Sequence, residues 1–182
     1  MIEQVELHTA RLRLRPFTLD DAPEVQRLAG SPEIAKMTLT VPHPYKDGMA
    51  EAWIRSHPAD LAAGKNVVYA IVRNDDSALV GTISVAISAK HRHGELGYWI
   101  GTPFWGHGYC TETASAMVSF CFGSLGLHRV HAHHLAMNPA SGRVMQKIGM
   151  VHEGCLRQHV EKDGTLHDVV MYGLLKEDPA GV

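Results

Sequence analysis

The sequence predicts a mixed α+β fold, and three observations predict it. Residues 66–73 (NVVYAIVR) and 79–88 (LVGTISVAIS) are apolar runs of strand length, separated by Asn74-Asp75-Asp76-Ser77, so they read as an antiparallel hairpin. Two stretches of helical period follow, at about 110–124 and 138–148, each flanked by further strand patterns. The whole order of elements is β-α-α-β-β-β-α-β-α-β-β, seven strands interleaved with helices. At 182 residues the chain is long enough for one core-bearing domain and short for two, so a single domain spanning 1–182 is expected.

Each element has its own warrant. In residues 9–15 (TARLRLR), Leu12 and Leu14 face one way and Arg11, Arg13 and Arg15 the other, as in a half-buried strand. Thr18-Leu19-Asp20-Asp21 reads as a helix start with acids in its first turn. Ala22, Val25, Leu28 and Ala29 form the apolar face of that helix, and Gly30 closes it. Ser31-Pro32-Glu33 opens a short helical piece, and TVPHPY at 40–45 holds two prolines and fits no regular element. A helix over about 47–57 carries Trp53 and is expected to stop before Pro58. After the hairpin, Tyr98, Trp99 and Ile100 mark a strand at 95–101, ended by Pro103 and Gly106. Ala114, Met117, Val118, Cys121, Phe122 and Leu125 recur at helical spacing, and a strand at 127–135 follows. Asn138 then caps a helix with Pro139 at its first position and Gly149 just beyond its end. Strands at about 151–161 and 166–175 are joined by the turn Lys162-Asp163-Gly164.

Composition excludes several function classes. A net charge of −2 and the lack of a basic run argue against nucleic-acid binding. No apolar stretch is long enough for a membrane span, and MIEQVELHTARL lacks a signal-peptide core. Three cysteines, Cys110, Cys121 and Cys155, form no metal spacing and suit a reduced, cytoplasmic protein. The thirteen histidines make the charge near pH 6 more positive than the formal value. His131, His133 and His134 lie in the string HAHH, with 131 and 133 on one face. No neighbouring acid or cysteine in the sequence completes a ligand set, so a packed or surface strand is expected and no metal.

The chemistry concentrates in Glu95–Thr113, ELGYWIGTPFWGHGYCTET. A strand runs into a glycine-punctuated turn, Gly106 and Gly108, at a helix N-terminus. Free N–H groups and the positive end of the helix dipole converge there on one anion site, suited to the pyrophosphate of a large cofactor. Strand alternation puts Glu95, Gly97 and Trp99 on one face, which makes Glu95 a candidate to relay a proton through water. Helix N-termini lower thiol pKa, so Cys110 could act as a nucleophile, but the phosphate needs the same place.

These residues resemble the GCN5-related N-acetyltransferase (GNAT) superfamily, over nearly the whole chain. Its main motif is Gln/Arg-x-x-Gly-x-Gly/Ala. Here the six positions are Trp105, Gly106, His107, Gly108, Tyr109 and Cys110, and only the central glycine matches strictly. GYWIGTPFWGHGYCTE is similar to the branch that acetylates ribosomal-protein N-termini. So are NPASGRVMQKIGMVHEG, the start TARLRLRPFTLDDA, the VPHPY segment and the ending DGTLHDVVMYGLL.

The resemblance implies a twisted, mostly antiparallel sheet of about seven strands with a central splay and helices on both faces. It implies direct attack of a primary amine on acetyl-CoA. Trp99 and Ile100 would hold the pantetheine arm, and Gly106, His107, Gly108, Tyr109, Cys110 and Thr111 the pyrophosphate. Asn138 would contact the arm while capping its helix, and Ser141 would also bind the cofactor and protonate the leaving thiolate. Glu95, His159 and Glu161 are candidate bases, Arg143 a phosphate contact or an exposed helix residue, and Asp168 and Tyr172 structural supports. The implied acceptor is a protein's N-terminal α-amine, possibly ribosomal, with a polyamine, amino acid or antibiotic as the alternative. A CoA-binding regulatory domain is the non-enzyme alternative, and a homodimer is plausible.

Overall fold

The structure is a computed structural model that describes residues 2–178. Leu12 and Leu14 alternate with Arg13 and Arg15 in strand β2 (Leu12–Arg15), and both leucines are fully buried. A two-residue strand, β1 (Leu7–His8), pairs antiparallel with β2 and brings the sheet to eight strands instead of seven. At two residues it is too short to show a period of its own. Strands β3 (Asn66–Arg73) and β4 (Leu79–Ser88) form the foreseen hairpin. Strand β5 is His93–Ile100, β6 is Arg129–Leu135, β7 is Val151–Lys162 and β8 is Thr165–Leu175. The sheet order is β1-β2-β3-β4-β5-β6-β8-β7. Every neighbouring pair is antiparallel except β5–β6.

Helices cover both faces. Val67, Tyr69 and Ile71 of β3 pack with helix α4 (Tyr109–Gly123) and with Met145 of α5 (Pro139–Lys147) in one apolar cluster. Ala70 and Val72 point the other way and pack with α1 (Ala22–Ala29), α2 (Pro32–Met37) and α3 (Met49–Ala62). A strand buried on both sides reads as a continuous apolar run, as β3 does.

The first helix differs slightly from expectation: Leu19–Asp21 form one 3-10 turn before α1 begins. Asp21 is buried there and accepts two hydrogen bonds of 2.7 Å from Arg15 and one of 2.9 Å from the Thr18 N–H. Burial alone would raise its pKa, but the bonds from Arg15 and Thr18 outweigh it and hold the carboxyl below its ordinary value. Helix α3 does not stop before Pro58. It continues to Ala62 with Pro58 inside and exposed. Proline removes one backbone bond, but Leu61, one turn on, packs against the main core and favours continuation.

Candidate active site

The two central strands part company. Register between β5 and β6 holds for three pairs only, His93↔Arg129, Gly94↔Val130 and Glu95↔His131. Beyond them a wedge opens. The Gly101 N–H donates to Val80 O at 2.8 Å, so by antiparallel alternation Gly97 and Trp99 direct their backbone groups to β4. Leu96, Tyr98 and Ile100 therefore turn theirs into the wedge. On the far wall, the Ala136 N–H donates to Asp168 O at 2.9 Å, which leaves His133 and Leu135 facing the wedge. Of the two residues assigned to the pantetheine arm, Ile100 lies on the free edge and Trp99 does not. The Trp99 indole is buried with α1–α3. The Ile100 carbonyl already accepts a 2.5 Å hydrogen bond from the Trp105 indole N–H, which folds the loop back on the strand end.

The loop has the backbone that its glycines suggested. Gly106 (φ 81°) and Gly108 (φ 79°) are both left-handed, and Gly108 caps α4. A Cβ on Gly106 would meet nothing within 4 Å, so the loop presents open backbone. His107 is exposed, contacts Trp105 O through Nδ1 at 2.9 Å and stacks on Tyr109 with ring centroids 5.4 Å apart. Tyr109 is buried, and the Arg11 guanidinium lies over its ring at 4.8 Å. Glu112 holds that arginine in place, accepting from Arg11 Nε at 2.8 Å, the Arg11 N–H at 2.9 Å and Thr9 Oγ1 at 2.6 Å. No local signal in the sequence marks a cation beside the loop, because Arg11 lies about a hundred residues upstream, in the bend just before β2. Thr111 is half-buried in the first turn of α4. Burial pushes the Cys110 thiol up to about 12, which runs against a nucleophilic role for it.

Helix α5 closes the wedge. Asn138 Oδ1 accepts from the Ser141 N–H at 3.3 Å, and its Nδ2 donates to Met37 O at 3.2 Å. One amide thus caps α5 and ties it to the end of α2. Ser141 Oγ lies 2.9 Å from the Tyr98 hydroxyl, which also donates to Ser141 O at 3.3 Å. Burial, then the neighbouring Cys110, raises the Tyr98 pKa, and the bond to Ser141 only partly offsets this. The sequence marks Tyr98 only as a strand former, and its even position on β5, on the face opposite Glu95, is the clue it offers.

Glu95 occupies the other face at the wedge's apex. Its Oε1 is 2.9 Å from His133 Nδ1 and its Oε2 is 3.5 Å from His131 Nε2. These two imidazoles hold its carboxyl well below the usual carboxylate range, more than offsetting its burial. The acid that HAHH lacked in sequence thus comes from the adjacent strand. Among the described residues no group of three or more such side chains is arranged to hold a metal ion. His159 and Glu161 are exposed toward the tip of the β7–β8 hairpin, past the rung where β6 ends. Asp168 accepts from the Gln158 N–H at 2.7 Å, and the Tyr172 hydroxyl accepts from Gln146 Nε2 at 3.1 Å, both supporting contacts. Arg143 is exposed. Among the described residues no helix is long and apolar enough to cross a membrane.

The comparisons with known proteins agree with this architecture. The Acetyltransferase (GNAT) domain matches residues 11–151. The uncharacterized N-acetyltransferase YoaA of Bacillus subtilis is 33% identical over 171 residues, covering 93% of this chain and 96% of that protein. Among solved structures, RimL, a ribosomal-protein α-N-acetyltransferase in complex with coenzyme A, superposes with a TM-score of 0.86 at 19% identity, over 94% of this chain and 98% of that one. A chimera of the Vibrio cholerae spermidine N-acetyltransferase gives 0.78 at 19% identity, over 92% and 96%. A splayed β5–β6 pair, open strand edges and a loop with two left-handed glycines fit an acetyl-CoA donor. The chain belongs to the GNAT acetyltransferase family, acyltransferases that draw their acetyl group from acetyl-CoA.

Proposed function

We propose that this chain is a single-domain N-acetyltransferase acting on the N-terminal α-amine of a protein, ribosomal proteins being the leading class. The observation that carries the site is the placement of two chemically different groups on opposite faces of β5 at one wedge. Tyr98 and Ser141 lie on one side, Glu95 with its histidines on the other. Acetyl-CoA, when bound, supplies an activated acetyl thioester. Ile100 and its neighbours on the free edge would pair with the pantetheine amides, and backbone N–H groups of 106–111 would take the pyrophosphate. Ser141 Oγ donates a proton toward the departing sulfur, and Tyr98 keeps that hydroxyl oriented. Glu95 governs the amine's proton on the opposite face.

Two considerations favour an α-amine. At pH 7 roughly one α-amine in ten is neutral, against fewer than one lysine in a thousand, so a site without a strong base suits the former. The segments flanking the wedge, 37–45 and the 157–167 hairpin, mix Arg157, Glu161, Lys162 and Asp163 and hold no dense acidic patch for a polycation. The RimL likeness is in line with this reading, while the spermidine enzyme shows that the fold also serves a small amine, which makes polyamines the control substrate. Release of free thiol from acetyl-CoA over peptides of varied N-terminus, spermidine and free amino acids tests the class. Turnover confined to spermidine would overturn it. Ser141→Ala should lower kcat by about 10²-fold with the acetyl-CoA KM little changed. An unchanged kcat would remove Ser141 from the proton path.

A further inference from the structure

We infer that His133 takes the amine's proton and that Glu95 is its positioning residue, a Glu–His dyad across the apex of the wedge. The inference rests on the acetyl-transfer reading above and names the group that works on its amine side.

The geometry selects both the residue and the atom. A bare ring nitrogen and a carboxylate oxygen repel at 2.9 Å, so His133 Nδ1 must carry the proton that faces Glu95 Oε1. The Nε2 lone pair of His133 is then free, and no hydrogen bond to it occurs among the described residues. His131 is the poorer candidate. It turns Nε2 toward Glu95 at 3.5 Å, its Nδ1 is buried without a partner, and its side chain is 15% exposed against 28% for His133. Backbone position agrees: His131 is the last residue of β6 registered with β5, and His133 stands two residues on, where the strands have parted. A carboxylate held low by two imidazoles is itself a weak base, but it fixes the tautomer of the ring it faces and stabilises the imidazolium that forms.

The step balances. The amine nitrogen sheds one proton to His133 Nε2 and bonds to the acetyl carbon. The carbon–sulfur bond breaks with its electron pair on sulfur, and Ser141 Oγ passes a proton there. Before the next turnover His133 loses its proton to water and Ser141 regains one from water, so the enzyme returns to its starting state. The charged groups around the dyad on neighbouring strands are few. His93 lies with its ring 5.1 Å from that of His131, and His91 stacks on His93. Arg129 is paired with Glu153, and β4 and β8 place only Ala86, Met171 and Gly173 in register beside the three residues.

The test has one readout without turnover and one with it. ¹⁵N spectra of the imidazoles in the ligand-free protein at neutral pH should show His133 as the Nδ1–H tautomer, shifting to a mixture in Glu95→Gln. An Nε2–H tautomer in the wild type overturns the inference. In turnover, His133→Gln should reduce kcat by at least about 10²-fold and abolish the acidic limb of the kcat profile. Added imidazole should partly restore His133→Ala. A His133→Gln enzyme that keeps both rate and limb overturns the dyad while acetyl transfer stands. A wild-type protein that binds acetyl-CoA and acetylates no amine overturns the underlying reading, and the dyad with it, whatever the tautomer.

Discussion

Gly106→Ala separates the loop's backbone cost from its role in binding. Gly106 has φ 81° and an added methyl meets nothing within 4 Å, so no packing clash contributes. What remains is the cost of holding an L-residue in the left-handed region, about 1 kcal/mol. For a chain of this length that lowers Tm by roughly 2–4 °C. Gly108→Ala should behave alike, since φ is 79° and the methyl would sit 3.6 Å from Arg11 Nη2, an ordinary contact. If the loop's N–H groups hold the pyrophosphate, a methyl at either place also intrudes on the bound phosphates. Acetyl-CoA affinity should fall at least about tenfold, equivalent to about 1.4 kcal/mol. Gly81→Ala is the control: its Cβ would lie 2.2 Å from Trp99 O, which harms the sheet without touching the loop. Scanning calorimetry of the free protein and titration calorimetry with acetyl-CoA give both quantities. A Gly106→Ala protein with the expected Tm loss and a wild-type acetyl-CoA Kd would refute the cradle.

The other expectations concern charge and thiols. Asp21→Asn should destabilise by about 2–3 kcal/mol in denaturant titration, less than a fully buried pair because the Arg15 side chain keeps 21% exposure. The folded pKa of Asp21 is depressed, so its contribution is complete above the unfolded value of about 3.9 and is lost as pH falls through the folded one. The wild-type advantage over Asp21→Asn should therefore shrink below about pH 4; a constant gap would contradict the assignment. With an aromatic disulfide reagent at pH 8, exposed Cys155 should react at once, while Cys110 and Cys121, both pushed up to about 12, should react only on unfolding. Fast labelling of a second thiol in the native protein would contradict the raised thiol pKa of half-buried Cys110 and buried Cys121.

What was legible in the sequence was local. The Leu12/Leu14 alternation, the Asn138-Pro139 cap with Gly149 beyond the helix, and the hairpin at Asp163-Gly164 all depend on a few adjacent residues. Asp163 and Gly164 indeed both take positive φ. The glycine loop was readable for the same reason. Pro58 was misjudged because the gain from packing Leu61 is tertiary and outweighs a local rule. Tyr98 with Ser141, Arg11 over Tyr109, and Glu95 with His131 and His133 are pairings between residues 36 or more apart in sequence. They depend on which strand lies beside which, and the order β6-β8-β7 cannot be read from any single strand's pattern. HAHH looked incomplete because its carboxylate sits across a strand boundary.

The splay gives the sheet four edges instead of two. Besides β1 and β7, the inner margins of β5 and β6 turn backbone groups without a strand partner into the gap at Tyr98, Ile100, His133 and Leu135, although the Ile100 carbonyl is taken by the Trp105 indole and the Leu135 carbonyl by the Asn138 N–H. An outer edge accepts any passing strand, which is why sheets protect theirs with charge, twist or brevity. An inner edge is shielded differently, because a wedge closed at its apex has no exit for a second chain end. Only a slender, amide-bearing segment that terminates inside the protein can satisfy both margins. The gap between β5 and β6 therefore selects by shape against peptides threading through it, before any side chain has been consulted.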